Sequence, residues 1–321
     1  MLTAKSAKAK IGAKWSACYS RQVRSRIHWW QNPYVIRHIN QRVAGYPLEG
    51  LSLGLNSRVK KMAADRLPFS LGVSVGCGNA RKEIELLRQG VVQSFVLFEF
   101  SDIAIKQGKE SALREGFQER IEFISGDAFD MIREKESFDF IHWNNSLHHM
   151  PDVEKALRWS NHVCKKGGMF YMDDYVGPNR LQWPEKYLKL ASEVRNSLPQ
   201  RYLLRCPYGS VLLGYLVARL PLPPKLKYQP RTLRRPDGEK IISCDPSEAA
   251  DSERIRQCLK LFFPNAEIIL TGGVVYFMAL SGILQNFDEE KDKTLLDRLM
   301  SIDDACAEQG ETLYATALAI K

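Results

Sequence analysis

The chain reads as an α/β protein: a doubly wound, mostly parallel sheet of seven strands whose last strand runs antiparallel, with a helical cap before it and a helical lid insertion after the fifth strand. Three observations carry that reading. Short β-branched and aromatic runs alternate with helix-spaced segments from Leu71 to Met172. Each run ends in glycine, asparagine or a carboxylate, the residue types that ligands meet at the carboxyl rim of an open sheet. The length of 321 residues suits one elaborated domain or two small ones.

The opening unit spans residues 71–100. Leu71, Val73 and Val75 give a buried strand. Gly76-Cys77-Gly78 is a turn whose missing side chains let a ligand approach the backbone. Arg81 to Gln89 is a helix carrying Ile84, Leu86 and Leu87, and Gly90 stops it. Phe95 to Phe98 is the second strand, with Glu99 at its end. A parallel pair joined by a crossover helix sets Gly76, Gly78 and Glu99 on one rim. A dinucleotide site wants glycine or alanine where Arg81 stands, and no Gly-Lys-Ser/Thr follows to make a phosphate loop. A nucleoside without a pyrophosphate needs only two glycines and an acid for its ribose, which suits S-adenosylmethionine. A tight turn that binds nothing is the plain alternative.

Ser101 and Asp102 open a helix reaching Glu115, and Arg120 to Ile124 is the third strand, followed by Ser125-Gly126-Asp127-Ala128. Phe138 to Trp143 is the fourth, followed by Asn144-Asn145-Ser146-Leu147-His148-His149. Asp152 caps a helix that Gly167-Gly168 stops. Met169 to Met172 is the fifth strand, with Asp173-Asp174 at its end. The pieces VSVGCGNA, FVLFEFSD, IEFISGDAFD, FDFIHWNNSLHHMPDVEKAL and KKGGMFYMDDYVGPNR come in order and at family-like spacing. Together they resemble the class I, Rossmann-like, S-adenosylmethionine-dependent methyltransferases of bacterial small-molecule type. The resemblance covers about a third of the chain strongly.

The resemblance implies S-adenosylmethionine as cofactor and S-adenosylhomocysteine as product. By the same resemblance Gly76, Cys77 and Gly78 take the methionine portion, Glu99 with Phe100 beside it the ribose, Gly126, Asp127 and Ala128 the adenine, and Asn144 and Asn145 the sulfonium end. One departure stands out. The family often has an acid two residues before the first glycine, and here that residue is Ser74, which would reach the ligand's amino group through water or leave it to Asn144.

A general base for the acceptor would come from the same rim, where His149, His148 and Asp173 are the candidates, His149 named first, with Asp174 beside them. No metal is expected. Adjacent carboxylates on a strand point to opposite faces, so chelation by Asp173 and Asp174 requires the strand to have ended.

The flanks are read as parts of four segments: residues 1–67 a basic helical arm and cap, 68–176 the cofactor-binding core, 177–263 a lid or substrate insertion, and 264–321 the elements completing the sheet. Met1 to Ser20 reads as loosely ordered or a frayed helix, and the helix holding Trp29, Trp30, Tyr34, Val35 and Ile39 as a roof over the pocket, or else as packing on the catalytic domain. The insertion holds a helix from Pro184 to Leu198, a short apolar helix from Val211 to Leu220, and a proline-rich stretch. Its Arg201, Arg205, Arg231, Arg234 and Arg235 are able to clamp a phosphate or carboxylate. Ala266 to Leu270 is the sixth strand, Val274 to Leu284 a buried helix or a strand, Lys291 to Glu308 an amphipathic helix, and Thr312 to Ile320 the closing strand.

The formal net charge is +9, and Met1 to Leu48 holds no acid. Nucleic acid, anionic lipid and an acidic substrate are the partners such charge admits. The leading function is methyl transfer to oxygen or nitrogen of a small molecule, an acidic one included. The alternatives are a nucleic-acid methyltransferase and a non-catalytic cofactor-binding scaffold. Against the first, NNSLHH stands where many base methyltransferases carry an N-P-P-aromatic clamp. Seven scattered cysteines, none in a C-x-x-C pair, point to a reducing compartment and a cytoplasmic location. No run approaches the roughly 18 apolar residues of a membrane span, which leaves peripheral contact through the basic arm and the Val211 stretch.

Overall fold

A computed structural model describes residues 10–17, 28–206 and 210–321. Seven strands form one sheet in the order β3-β2-β1-β4-β5-β7-β6. They are β1 Phe69–Val75, β2 Val92–Glu99, β3 Ile121–Ser125, β4 Phe138–Asn144, β5 Cys164–Tyr175, β6 Glu267–Gly272 and β7 Tyr314–Ile320. The pairs β1–β2, β1–β4, β2–β3 and β4–β5 are parallel, and β7 lies antiparallel between β5 and β6. Parallel strands are covered on both faces, so they are written as nearly unbroken apolar runs. Val73, Phe95, Leu97, Phe140, Ile141 and Phe170 are all fully buried. β7 obeys the same constraint with small residues, Ala315, Ala317 and Ala319, which admit bulky neighbours such as Phe170 and Phe263 on that face.

The helices alternate with the strands: α1 residues 10–17, α2 Pro33–Ala44, α3 Leu53–Met62, α4 Arg81–Arg88, α5 Asp102–Arg114, α6 Val153–Val163, α7 Glu185–Ser197, α8 Val211–Arg219, α9 Gly238–Cys244, α10 Ile255–Phe262 and α11 Lys293–Glu308. The side chain of Ser101 accepts from the Ala104 amide to cap α5, and that of Asp152 accepts from the Lys155 amide to cap α6. One face of the sheet packs on α6 and α10 through Trp143, Leu157, Phe170 and Leu259. The other packs on α3 and α4 through Leu55, Leu87, Phe95 and Tyr171.

A third core lies off the sheet, where Tyr187, Leu188 and Tyr202 of the insertion meet Val275, Leu280, Leu299 and Leu313. Arg195 binds these parts together. It is buried and donates to the carbonyls of Ala279 (2.6 Å), Pro230 (2.8 Å) and Ser281 (2.7 Å).

One local expectation is corrected and two are made specific. Gly167 and Gly168 do not stop a helix; they lie inside β5, which begins at Cys164, because the end of β7 pairs there (Gly167 N to Lys321 O, 2.7 Å; Lys321 N to Gly168 O, 3.0 Å). The ambiguous run after Gly273 is a π-helix, Val274–Ala279, whose start is fixed by the Asp303 carboxylate accepting from the amides of Gly273 and Val275. Within the arm read as loosely ordered or a frayed helix, residues 10–17 form α1, which lies against the loop after β2, so close that a side chain at Gly12 would meet the Phe100 carbonyl.

Candidate active site

The parallel register lines up the ends of β1, β2, β3 and β4, and their loops open into one cavity of about 1390 Å3. Pockets for one drug-sized ligand run to roughly 1000 Å3, so this chamber has room for two. Gly76, Cys77, Gly78, Glu99, Phe100, Gly126, Asp127, Ala128, Asn144, Asn145, His148, His149 and Asp173 all line it.

At the cofactor end the turn after β1 is built on positive φ at Gly76 (70°) and Gly78 (57°), a conformation that favours glycine. Glu99 locks the turn to β2. Its Oε2 accepts from Gly78 N at 2.8 Å, and its Oε1 from Phe100 N at 2.8 Å and Ser101 N at 2.9 Å. Burial pushes the Glu99 carboxyl up, against the pull of those amides. Asp127 accepts from Phe129 N at 2.9 Å and caps the turn after β3. An acid beside a glycine turn, a second acid one loop away and unobstructed backbone form a donor and acceptor set that fits a nucleoside.

Ser74 does not belong to this set. It is buried beneath the turn, where its hydroxyl donates to Glu83 Oε1 at 2.7 Å, and His142 Nδ1 meets the same oxygen at 2.9 Å. Alternation along β1 turns residue 74 inward. Glu83 comes from the first turn of α4, is buried with Ser74 and His142 and is not among the residues that line the cavity. Its carboxyl resists the upward push of burial and is held below the ordinary range by His142 and Ser74.

A second network links the cap to the rim. Lys82 donates to the carbonyl of Asn144 at 3.2 Å, Asn144 Nδ2 to Ser52 Oγ at 3.1 Å, and Ser52 Oγ to Asp173 Oδ2 at 2.7 Å. Burial lowers the Lys82 ammonium and raises the Asp173 carboxyl. The roof is built from the cap as expected, with Trp29, Trp30, Ile36 and Ile39 on the cavity wall. It also includes Trp15 of α1, whose ring meets the His149 imidazole edge-on at 5.2 Å.

The acceptor end is where β4 and β5 finish. β5 continues through Asp173 and Asp174, so their side chains diverge and cannot chelate one ion together. Asp173 turns to Ser52. Asp174 accepts from the amides of Ser146 (2.9 Å) and Leu147 (2.8 Å) and from His148 Nδ1 at 2.5 Å. Burial alone would lower the His148 imidazole, but the Asp174 carboxylate outweighs it and holds the ring above its ordinary value. His149 follows the opposite course: burial and the neighbouring His148 charge push it down to about 3. A ring so hard to protonate is a poor base, which favours His148 of the two.

Glu248, which the sequence did not single out, faces His148 with Oε1 4.0 Å from Nε2. It comes from the insertion, pinned by Arg180 donating to the carbonyls of Pro246 (2.8 Å) and Glu248 (2.9 Å) and by Ala250 N donating to the His148 carbonyl (3.0 Å). The polar run DPSEAADSE was the one available signal. Ser52 and Trp15 gave none.

Ligand atoms of His148, His149 and Glu248 lie within 4.8 Å of one another. His148 Nδ1, however, is held by Asp174 at 2.5 Å and His149 Nδ1 meets Ser247 Oγ at 3.1 Å, so one nitrogen of each ring is already engaged. The arginines of the insertion do not line the cavity. Arg231, Arg205 and Arg235 donate to backbone carbonyls of their own segment.

Residues 73–229 match the model of a family described as a methyltransferase domain. A 27-O-demethylrifamycin SV methyltransferase of Amycolatopsis mediterranei is 26% identical over 123 residues, which is 37% of this chain and 45% of the relative. A demethylmenaquinone methyltransferase of Desulfitobacterium hafniense is 27% identical over 141 residues, 43% of this chain and 56% of the relative. The chain thus spans about half the length of these relatives. Among solved structures, a phosphoethanolamine N-methyltransferase of Haemonchus contortus, in complex with S-adenosylhomocysteine, superposes with a TM-score of 0.49 at 13% identity, covering 96% of this chain and 60% of that one. Residues 73–229 thus carry the sequence pattern of a methyltransferase domain on a Rossmann-like sheet.

Proposed function

We propose that the protein transfers a methyl group from S-adenosylmethionine to an oxygen or nitrogen of a small molecule. The single observation that carries this is one chamber joining a nucleoside-type rim to an oriented histidine–carboxylate end. S-adenosylmethionine supplies a methyl group on a sulfonium, displaced in line as the C–S electron pair passes to sulfur.

The chain's own residues have three tasks. Glu99 and Asp127, at neighbouring strand ends, hold the ribose and adenine, and the Gly76–Gly78 turn keeps the backbone bare for the methionine portion. Asp173, Asn144 and Lys82 line the wall between the two ends. His148, with Nδ1 held by Asp174, presents Nε2 toward Glu248 and takes the acceptor's proton there. Most of the rate gain is then positional, since acceptor and methyl are held in near-attack geometry.

The acceptor end carries Glu248 and no arginine from the insertion, which supports a neutral acceptor over an acidic one. The relatives named above are named for 27-O-demethylrifamycin SV and demethylmenaquinone, in keeping with a small-molecule acceptor.

Calorimetric titration with S-adenosylmethionine and S-adenosylhomocysteine, beside an NAD control, tests the reading. Micromolar-range binding that Glu99→Ala weakens about tenfold is expected, from a lost charged hydrogen bond. Absence of binding by both compounds overturns it. Binding with no S-adenosylhomocysteine released from any acceptor pool would mark a scaffold instead.

A further inference from the structure

The insertion carries a surface that the chamber does not use. On α8, Leu212, Tyr215, Leu216 and Arg219 follow helical spacing i, i+3, i+4, i+7 and all face solvent. The opposite face is pressed inward at Gly214, where a side chain would meet the Arg205 carbonyl at 2.8 Å. The outward stripe continues through Leu220 and Leu222 to Leu226 on the next turn, Pro224–Lys227. Leu212 is 72% exposed, Leu216 51% and Leu226 52%. Six of the twelve exposed large apolar side chains of the described residues lie in these fifteen positions.

Charge identifies the partner. Between Glu193 and Asp237 there is no acid, while nine lysines and arginines occur, among them Arg219, Lys225 and Lys227 beside the stripe. A second copy docked on this face would set cations against cations. A surface of exposed leucines, one tyrosine and flanking cations matches a lipid headgroup boundary, where apolar side chains enter the acyl region and lysine and arginine meet anionic headgroups. At nine residues α8 cannot cross a bilayer but can lie in its plane. No helix among the described residues is long and apolar enough to cross a membrane.

We propose that the face formed by α8 and the Pro224–Lys227 turn docks peripherally on an anionic lipid surface. The binding is apolar at its centre and electrostatic at its edge. It is independent of the methyl-transfer reading.

The test is co-sedimentation of the full chain with vesicles of phosphatidylglycerol and phosphatidylcholine, and of phosphatidylcholine alone. Binding to the anionic vesicles is expected, weakening as salt rises from about 0.1 M to about 0.5 M. Leu212→Glu with Leu216→Glu should weaken it by at least about tenfold, and Lys225→Glu with Lys227→Glu by a similar factor. Both variants should keep the parent's circular dichroism spectrum and melting temperature, which shows that they fold. Failure to sediment overturns the proposal. So does sedimentation unchanged in both variants, which would assign lipid contact to the basic arm. A dimer in solution that Leu212→Glu with Leu216→Glu dissolves, without vesicle binding, overturns it in favour of self-association.

Discussion

At the scale of single residues the decisive pair is His148 and Asp174. The carboxylate raises the imidazole, so the ring stays protonated to a higher pH than an ordinary histidine, whose value is 6.5, and is free to accept a proton only above that raised value. The rate of methyl transfer should therefore climb with pH through an inflection above 6.5. Asp174→Asn removes the charge, so burial moves the inflection below 6.5. With its orientation lost, the ring should also give a plateau rate lower by about a hundredfold. A pH–rate profile of the two proteins checks both effects. An inflection that stays in place would remove His148 as the base. Stability follows with its own signs. The raised His148 contributes fully below 6.5 and loses its contribution as pH rises through its folded value. The lowered Asp174 contributes above 3.8 and loses its contribution as pH falls through its folded value. The metal question belongs here too. Because His148 Nδ1 is held by Asp174 and His149 Nδ1 meets Ser247, turnover should survive dialysis against EDTA. A loss restored by one divalent ion would move proton removal from His148 to a metal held by His148, His149 and Glu248.

At the scale of elements the strand ends separate what was readable from what was not. Gly76, Gly78, Glu99 and Asp127 were legible because each stands within a residue or two of its own strand, in a pattern a short window contains. Ser74 was misread for the opposite reason: its partner Glu83 arrives from the following helix and His142 from a strand further on. Ser52 reaches Asp173 across 121 positions, and Glu248 reaches His148 from the far side of the insertion. No local periodicity announces such meetings. β7 is the element most open to test. Its residues from Tyr314 to Ala319 are buried between β5 and β6, so deleting residues 312–321 removes an interior strand and strands two edges. The truncated chain should show no cooperative thermal transition by circular dichroism. A surviving transition would make β7 an accessory strand.

At the scale of the whole molecule the sheet, the insertion and the cap play different parts around one chamber. The sheet supplies the strand-end rim, the insertion supplies Glu248 and the exposed apolar stripe of α8, and the cap supplies Ser52 and the roof. Length and alternation predicted the seven-stranded architecture, yet the third core was not legible, because Tyr187, Val275 and Leu313 come from segments that look unrelated along the chain. That core explains how an insertion rich in proline holds a fixed position: Arg195 fastens it to the C-terminal half through the carbonyls of Ala279 and Ser281.

α1 touches both ends of the chamber at once. Ser16 meets Ser101 at 3.0 Å beside the cofactor rim, and Lys14 pairs with Asp245 while Trp15 lies on His149 beside the acceptor end. One short helix is thus fastened to both ends of the chamber wall, so the compartment beside Glu99 and the one beside His149 share a single support.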